Sequence, residues 1–340
     1  MKSIFTHSIL FLTVIFFISC KHDQTDINTS HVQLEPIILK RLDKDIFSVT
    51  QQNVKEKTEE FQKKYNTFYI RYITSIFNNG GVSDSLYSQS ILKFVNDKEM
   101  KAANNDIKKT FSDNDIELLE DELTEAVKRF KVFFPKRKTP KQFVTFMSGF
   151  NYNVVYTDST LAIGLEMYLG KNNEFYKLLQ YPKFKAQTMN KENLLADAVR
   201  GWVITEFDNT EPVNNLLYHM MFYGKLFYVT NALIPQVNDT LKLGYTQAQM
   251  NYCKTYEKNL WGFFVKDNKL YENDLKIISE YTTDGPFTGS ISKECPPRIA
   301  MWIGWQIIKS YMEHNDKITL DELMNENDFQ KILAKSKYKP

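Results

Sequence analysis

The densest apolar run in the chain lies at its start. Residues 1–20 read MKSIFTHSILFLTVIFFISC, with Lys2 ahead of a stretch from Ile9 to Ile18 that only Thr13 interrupts. A bilayer span needs about 20 apolar residues, and this run ends at once in Ser19, Cys20 and the polar KHDQTDINTSH. It has the length and flanks of a secretory signal core. No later segment approaches spanning length: Trp302–Ile308 is interrupted by Gln306 and flanked by Arg298 and Lys309. The remaining chain must therefore bury its apolar residues in a water-soluble body of its own. The 43% hydrophobic and 14% aromatic content of the full 340 residues supplies the material for a large core and excludes disorder and collagen-like repeats.

Ser19-Cys20, placed directly after the run, resembles the bacterial lipobox, with Phe17 where Leu or Val is more usual. In that class of signal, cleavage leaves the cysteine as the first residue, carrying lipid. The other reading is an ordinary signal peptide in which Cys20 is incidental. Lipidation is the sharper expectation, and it divides the chain into a signal peptide (1–19), a lipidated terminus with a flexible tether (20–35) and one globular domain (36–340). Buried acyl methylenes contribute about 0.8 kcal/mol each, so a multiply acylated cysteine holds such a domain firmly at a membrane. The protein is expected in the cell envelope, facing the periplasm. Cys253 and Cys295 would then meet an oxidising compartment, where they could pair.

Charge narrows the partners. Lys+Arg 43 against Asp+Glu 41 gives a net charge of +2, with no electrostatic footprint for nucleic acid. Three cysteines are too few for a disulfide scaffold or a zinc ribbon, and 12 glycines argue against a phosphate-cradling loop enzyme.

The periodicity predicts a mainly α fold of the α+β class. Residues 51–134 read as helical: Phe61, Tyr65, Phe68, Tyr69, Tyr72, Ile73 and Ile76 recur near the 3.6 period over 54–77, and Ser83 opens the next helix. Ser112-Asp113-Asn114-Asp115 caps a helix that stops at Pro135. Three β-rich runs follow at 142–150, 153–157 and 160–168, predicting a small antiparallel sheet within 142–168. Helices resume over 191–334, beginning with 191–207, whose Leu194, Leu195, Ala198, Val199, Trp202 and Val203 form one stripe. Further helices are expected at 212–233, 246–265, 272–281, 298–313 and 321–334, with a Gly/Pro-rich loop at 284–297.

Chemistry-bearing motifs are scarce. The chain holds no H-E-x-x-H, G-x-S-x-G, P-loop or G-x-G-x-x-G pattern. Two histidines, His219 and His314, fall in the domain, and His219 in LLYHMMFYGKLFY reads as a core residue. The unusual segment is DGPFTGSISKECPPRIAMWIGWQIIKSY (284–311). Arg298 there opens a helix, where the dipole disfavours a cation by about 0.3–1 kcal/mol. Such an arginine answers a carboxylate or an anion, with Glu294, Asp197 and Glu206 as candidates. The simpler form of this reading is a staple closing the loop onto the core. Trp302 and Trp305 read as core, and Gly304 between them lets another backbone come close. Asp197, Glu206, Glu294, Arg298 and Trp302 are the candidate cleft or partner contacts.

Several segments together carry a family likeness: Cys20, KRLDKDIF (40–47), IGLEMYLG (163–170), LLYHMMFYGKLFY (216–228), LGYTQAQMNYCKTYEKNLW (243–261), DGPFT (284–288) and, most specific, PPRIAMWIGWQIIKSYM (296–312). On these the chain resembles the GldB-type gliding-motility lipoproteins of Bacteroidota. The resemblance implies an envelope lipoprotein needed for gliding, with protein partners in a machinery that shares components with type IX secretion. It also implies distant kinship to predicted zincin-type zinc peptidases, hence a degenerate zincin-like fold with a small antiparallel sheet between helical regions. In those peptidases a sheet precedes a helix bearing H-E-x-x-H. Here that helix reads ENLLADAVRGWVITEF and has no histidine, and Tyr223-Gly224 stands where Glu-Gly is expected. Zinc needs three protein ligands of His, Glu or Cys type. The expectation is thus a non-catalytic structural or assembly factor without a cofactor. The alternatives are a divergent hydrolase using Glu166, Asp197 or Glu206, and a peptide- or solute-binding lipoprotein with an aromatic-lined pocket.

Overall fold

The computed structural model describes residues 24–77, 81–84, 86–157, 159–208 and 215–340. The signal segment and Cys20 lie outside the described residues.

The first described residues correct the tether. Residues 24–39 are laid along a long helix rather than hanging free of the body. Thr25 is buried and its carbonyl accepts from Arg129; the Thr29 hydroxyl donates to Glu125 (2.8 Å), and the Ile37 and Leu39 amides donate to Thr124 and Glu120. Glu120, Thr124, Glu125 and Arg129 all belong to that helix, and three of them satisfy backbone groups of the extended chain. Strand β1 (Leu39–Arg41) continues this path.

Helix α1 (Val54–Tyr65) buries Val54, Phe61 and Tyr65. The expected continuous helix breaks at Asn66, whose φ of 51° suits asparagine better than most residues. A new helical segment then runs from Thr67 and widens into a π-turn over Tyr72–Ile76. The break lets Phe61, Tyr65, Phe68, Tyr69, Tyr72 and Ile73 all face one core. Helices α2 (Tyr87–Asn96) and α3 (Lys98–Thr110) lead to α4 (Asp113–Phe133). The α4 start is the capping box expected: Ser112 and Asp115 satisfy each other's backbone amides.

Strands β2 (Gln142–Phe146), β3 (Val154–Thr157) and β4 (Thr160–Gly164) join β1 in a four-stranded sheet of order β1-β2-β4-β3. The sheet is mixed, which corrects the antiparallel expectation. Only the β3–β4 hairpin is antiparallel; β1 and β4 both run parallel to β2. The physical reason is connection length, since β1 reaches β2 through the whole helical region and a long crossover permits parallel pairing. The run 160–168 ends as a strand at Gly164 and continues as a 3-10 turn over Leu165–Tyr168.

Successive strand residues face opposite ways, and the sheet accordingly divides two cores. Val144, Phe146 and Ala162 pack with α1, α2 and the 67–76 segment. Phe143, Leu161 and Ile163 face the larger core. That core is built on α5 (Leu194–Glu206), α6 (Leu216–Leu233) and the later helix over Ile299–His314, with short α7 (Asp239–Leu243), α8 (Gln247–Thr255), α9 (Glu257–Val265) and α10 (Leu275–Thr282) around them. The single helix expected over 246–265 is divided at Tyr256 into α8 and α9. α11 (Ile299–His314) crosses α6 and is followed by α12 (Leu320–Asn325) and α13 (Phe329–Ser336), where one terminal helix was expected. The α5 stripe is buried as its sequence predicts. α6 and α11 are apolar nearly all round, the pattern of helices enclosed by others. Among the described residues no helix is long and apolar enough to cross a membrane.

Candidate functional site

A cavity of about 380 Å³ opens between α5, the 242–249 segment and the loop ending at Arg298. Its floor includes Met167, Tyr168 and Met189, and its wall carries Asp197, Arg200, Asp284 and Arg298. The loop is closed on itself: the Thr288 hydroxyl donates to the Pro296 carbonyl (2.6 Å), and its amide to Cys295 (2.8 Å). The Tyr245 hydroxyl donates to the Pro297 carbonyl from below.

Both arginines are held at one helix end. Arg200 donates from Nη1 to the Lys242 carbonyl at 2.8 Å, and Arg298 from Nη2 to the Leu243 carbonyl at 2.7 Å. Those are the last carbonyls of α7, which carry the negative end of the helix dipole and lack partners within the helix. Gly244 beyond them adopts φ 65°, the left-handed C-cap for which glycine is suited. Arg200 also pairs with Asp197 (2.6 Å), whose other oxygen accepts from the buried Tyr168 hydroxyl at 3.1 Å. Burial, with Asp197 alongside, pushes that phenol well above its ordinary pKa and keeps it a donor.

Arg298 stands in the left-handed region, φ 56°, as the residue preceding α11. Of the carboxylates expected to answer it, none does: the ion pair is with Asp284, Nε to Oδ1 3.4 Å. The loop's first residue thus meets its last, a staple in kind but with a different partner. Asp197 and Arg298 share the cavity as cleft candidates. The other three do not. Glu206 pairs with Arg137 at 3.5 Å, Glu294 is exposed on the loop outside the cavity, and Trp302 is buried in the core beneath it. Arg200 and Asp284 escaped the sequence reading. Arg200 had one legible sign, its place three residues after Asp197 on the same helix face.

The remaining chemical candidates are structural. Glu166 is fully buried; its Oε1 accepts from the Ser148 amide (2.5 Å), the Ser148 hydroxyl (2.6 Å) and the Phe150 amide (3.2 Å). Its Oε2 is buried without a hydrogen bond. Burial raises its pKa against those bonds. Cys253 and Cys295 are both buried free thiols, so the possible disulfide is not formed. Burial pushes the Cys295 thiol up to about 12 and the Cys253 thiol up as well, opposite to the shift an attacking thiolate needs. His219 is only half-buried on α6, rather than a full core residue, and burial lowers its pKa. His314 is exposed at the end of α11, 2.8 Å from the Ser310 carbonyl. Among the described residues no three His, Cys, Asp or Glu side chains converge as a metal site.

A family profile described as gliding motility protein GldB matches residues 21–340. No curated protein and no solved structure matches the chain.

Proposed function

The chain belongs to the gliding motility protein GldB family, and from that membership we propose that it is a lipid-anchored, non-catalytic assembly factor of the gliding apparatus. The observation that carries the reading is the extent of the match. It spans 21–340, the whole chain beyond Cys20. Cys20 is the anchor, and the partners are proteins of the gliding and type IX secretion machinery in the envelope.

The non-catalytic part is supported by how the reactive groups are disposed. Helix α5 follows the sheet as the metal-binding helix of a zincin would, yet it offers Asp197 and Arg200, already paired with each other, and no histidine. Glu166 is sealed, and both thiols are buried and protonated.

The test is Cys20→Ala in the native organism. The variant should leave the membrane fraction and abolish gliding, while its purified domain keeps the parental urea midpoint. Normal gliding by the released protein would refute the anchor's role. One tightly held zinc per chain, in protein prepared without chelator, would refute the non-catalytic part and return the hydrolase reading.

A further inference from the structure

We propose that the cavity between α5 and the 284–298 loop binds a carboxylate, presented by the C-terminal end of a peptide or by a small free acid, through Arg200 and Arg298. The cavity can hold such a ligand whatever the protein does for motility.

A guanidinium has five N–H donors. Arg298 uses Nη2 for the Leu243 carbonyl, and its buried Nε has no hydrogen bond, since Asp284 Oδ1 at 3.4 Å is an ion-pair neighbour only. Arg200 uses Nη1 for Lys242 and Nη2 for Asp197, and its Nε makes no hydrogen bond. A buried, unmade N–H costs roughly 1–3 kcal/mol. Only the Arg298 Nε is buried in this way; the Arg200 side chain is 21% exposed, and together the two half-engaged forks lining one cavity offer donors to an acceptor from outside. Their anchoring on consecutive carbonyls fixes their planes in advance, which lowers the entropy lost on binding.

Charge then selects the acceptor. Arg200, Arg298 and Lys185 line the cavity together with Asp197 and Asp284, leaving one net positive charge. A monoanion matches that balance. A phosphate dianion would exceed it and meet both carboxylates at close range. Beside the forks stand Asn151 and Gln249, whose Nδ2 and Oε1 are held by the Ser148 and Gly149 carbonyls and the Thr246 amide, which leaves Asn151 Oδ1 and Gln249 Nε2 to meet a peptide backbone. The volume of about 380 Å³ lies at the small end of ligand pockets, enough for a chain end rather than a folded surface.

The experiment titrates the full-length detergent-solubilised protein calorimetrically with N-acetyl-trialanine, its C-terminal carboxamide, acetate and inorganic phosphate. The free-acid peptide should bind about tenfold or more tightly than the carboxamide, the loss expected when charged hydrogen bonds are removed. Acetate binding as tightly as the peptide would keep the carboxylate site and make the small acid its ligand; weaker acetate would make it the peptide end. Arg298→Lys and Arg200→Lys should each erase the preference for acid over amide. The wild-type comparison needs no variant, so misfolding of either one leaves the test intact. Equal affinity for acid and amide, tighter phosphate than carboxylate, or no binding by any carboxylate would each overturn the proposal.

Discussion

Gly304 on α11 lies so close to Met220 on α6 that a Cβ built on the glycine would sit 1.8 Å from the Met220 carbonyl oxygen. The contact is reciprocal, because a Cβ on Gly224 would stand 2.5 Å from the Gly304 carbonyl. Two helices that are apolar nearly all round thus meet backbone to backbone, with Trp305 over Phe227 at 5.9 Å beside the crossing. Arg298 precedes α11 directly, so this crossing also places the cavity's wall.

Gly304→Ala should therefore destabilise the domain by about 2 kcal/mol or more, the upper range for overpacking, because backbone rather than a flexible side chain must yield. Gly262→Ala is the control. It lies in α9 with nothing within 4 Å of the added methyl, and should gain about 0.5 kcal/mol from helix propensity. Urea midpoints of the two variants measure both, and equal midpoints would refute the close crossing.

Glu166 gives a pH dependence with a definite sign. Burial raises its pKa in the fold, so the folded chain keeps a proton that the unfolded chain has released. Its contribution is full below the ordinary carboxylate range and is lost as pH rises through the raised folded value. Stability of the parent minus that of Glu166→Gln should fall between acid and neutral pH. A flat difference across that window would show that the carboxyl is ionised in the fold like any other.

The two domain thiols should be silent in the native state. In Cys20→Ala protein, where Cys253 and Cys295 alone can report, a soluble thiol reagent should react only at the rate of unfolding, and at once in urea. Both side chains are buried and their thiols are pushed up. Prompt reaction in native buffer would mean that the loop at 295 opens.

Ser112→Ala removes the side-chain half of the α4 capping box, the Oγ that accepts from the Asp115 amide, while the backbone amide at 112 still donates to Asp115 Oδ2. The expected loss is about 1 kcal/mol in the urea midpoint.

Legibility followed the range of the interactions. The α4 cap and the α5 stripe are set by residues a few positions apart, and each stands where its sequence placed it. The break at Asn66 was not readable, because the apolar period runs straight through it; only the demand that six aromatic and aliphatic side chains face one core imposes the turn. The sheet's hand of pairing was also beyond local reading. Three β-rich runs in a row suggest a meander, but β2 sits between β4 and the distant β1. At the cavity, Asp197 and Arg298 were legible as unusual charges. Their partners were not, since Arg200 resembles an ordinary helix-surface cation until α7's carbonyls are brought to it.

The sequence by itself determined the chain's class and its family: helical periodicity on both sides of a β-rich middle, and family membership carried by motifs along its length. These are properties of composition and near-neighbour spacing, which need no fold to be read. Tertiary structure alone decided that Gly304 and Gly224 meet, that residues 24–39 lie on α4, and that two arginines 98 positions apart close on the carbonyls of one short helix. Each depends on packing between segments remote along the chain, where the free energy comes from burying both at once and no local pattern records the pairing.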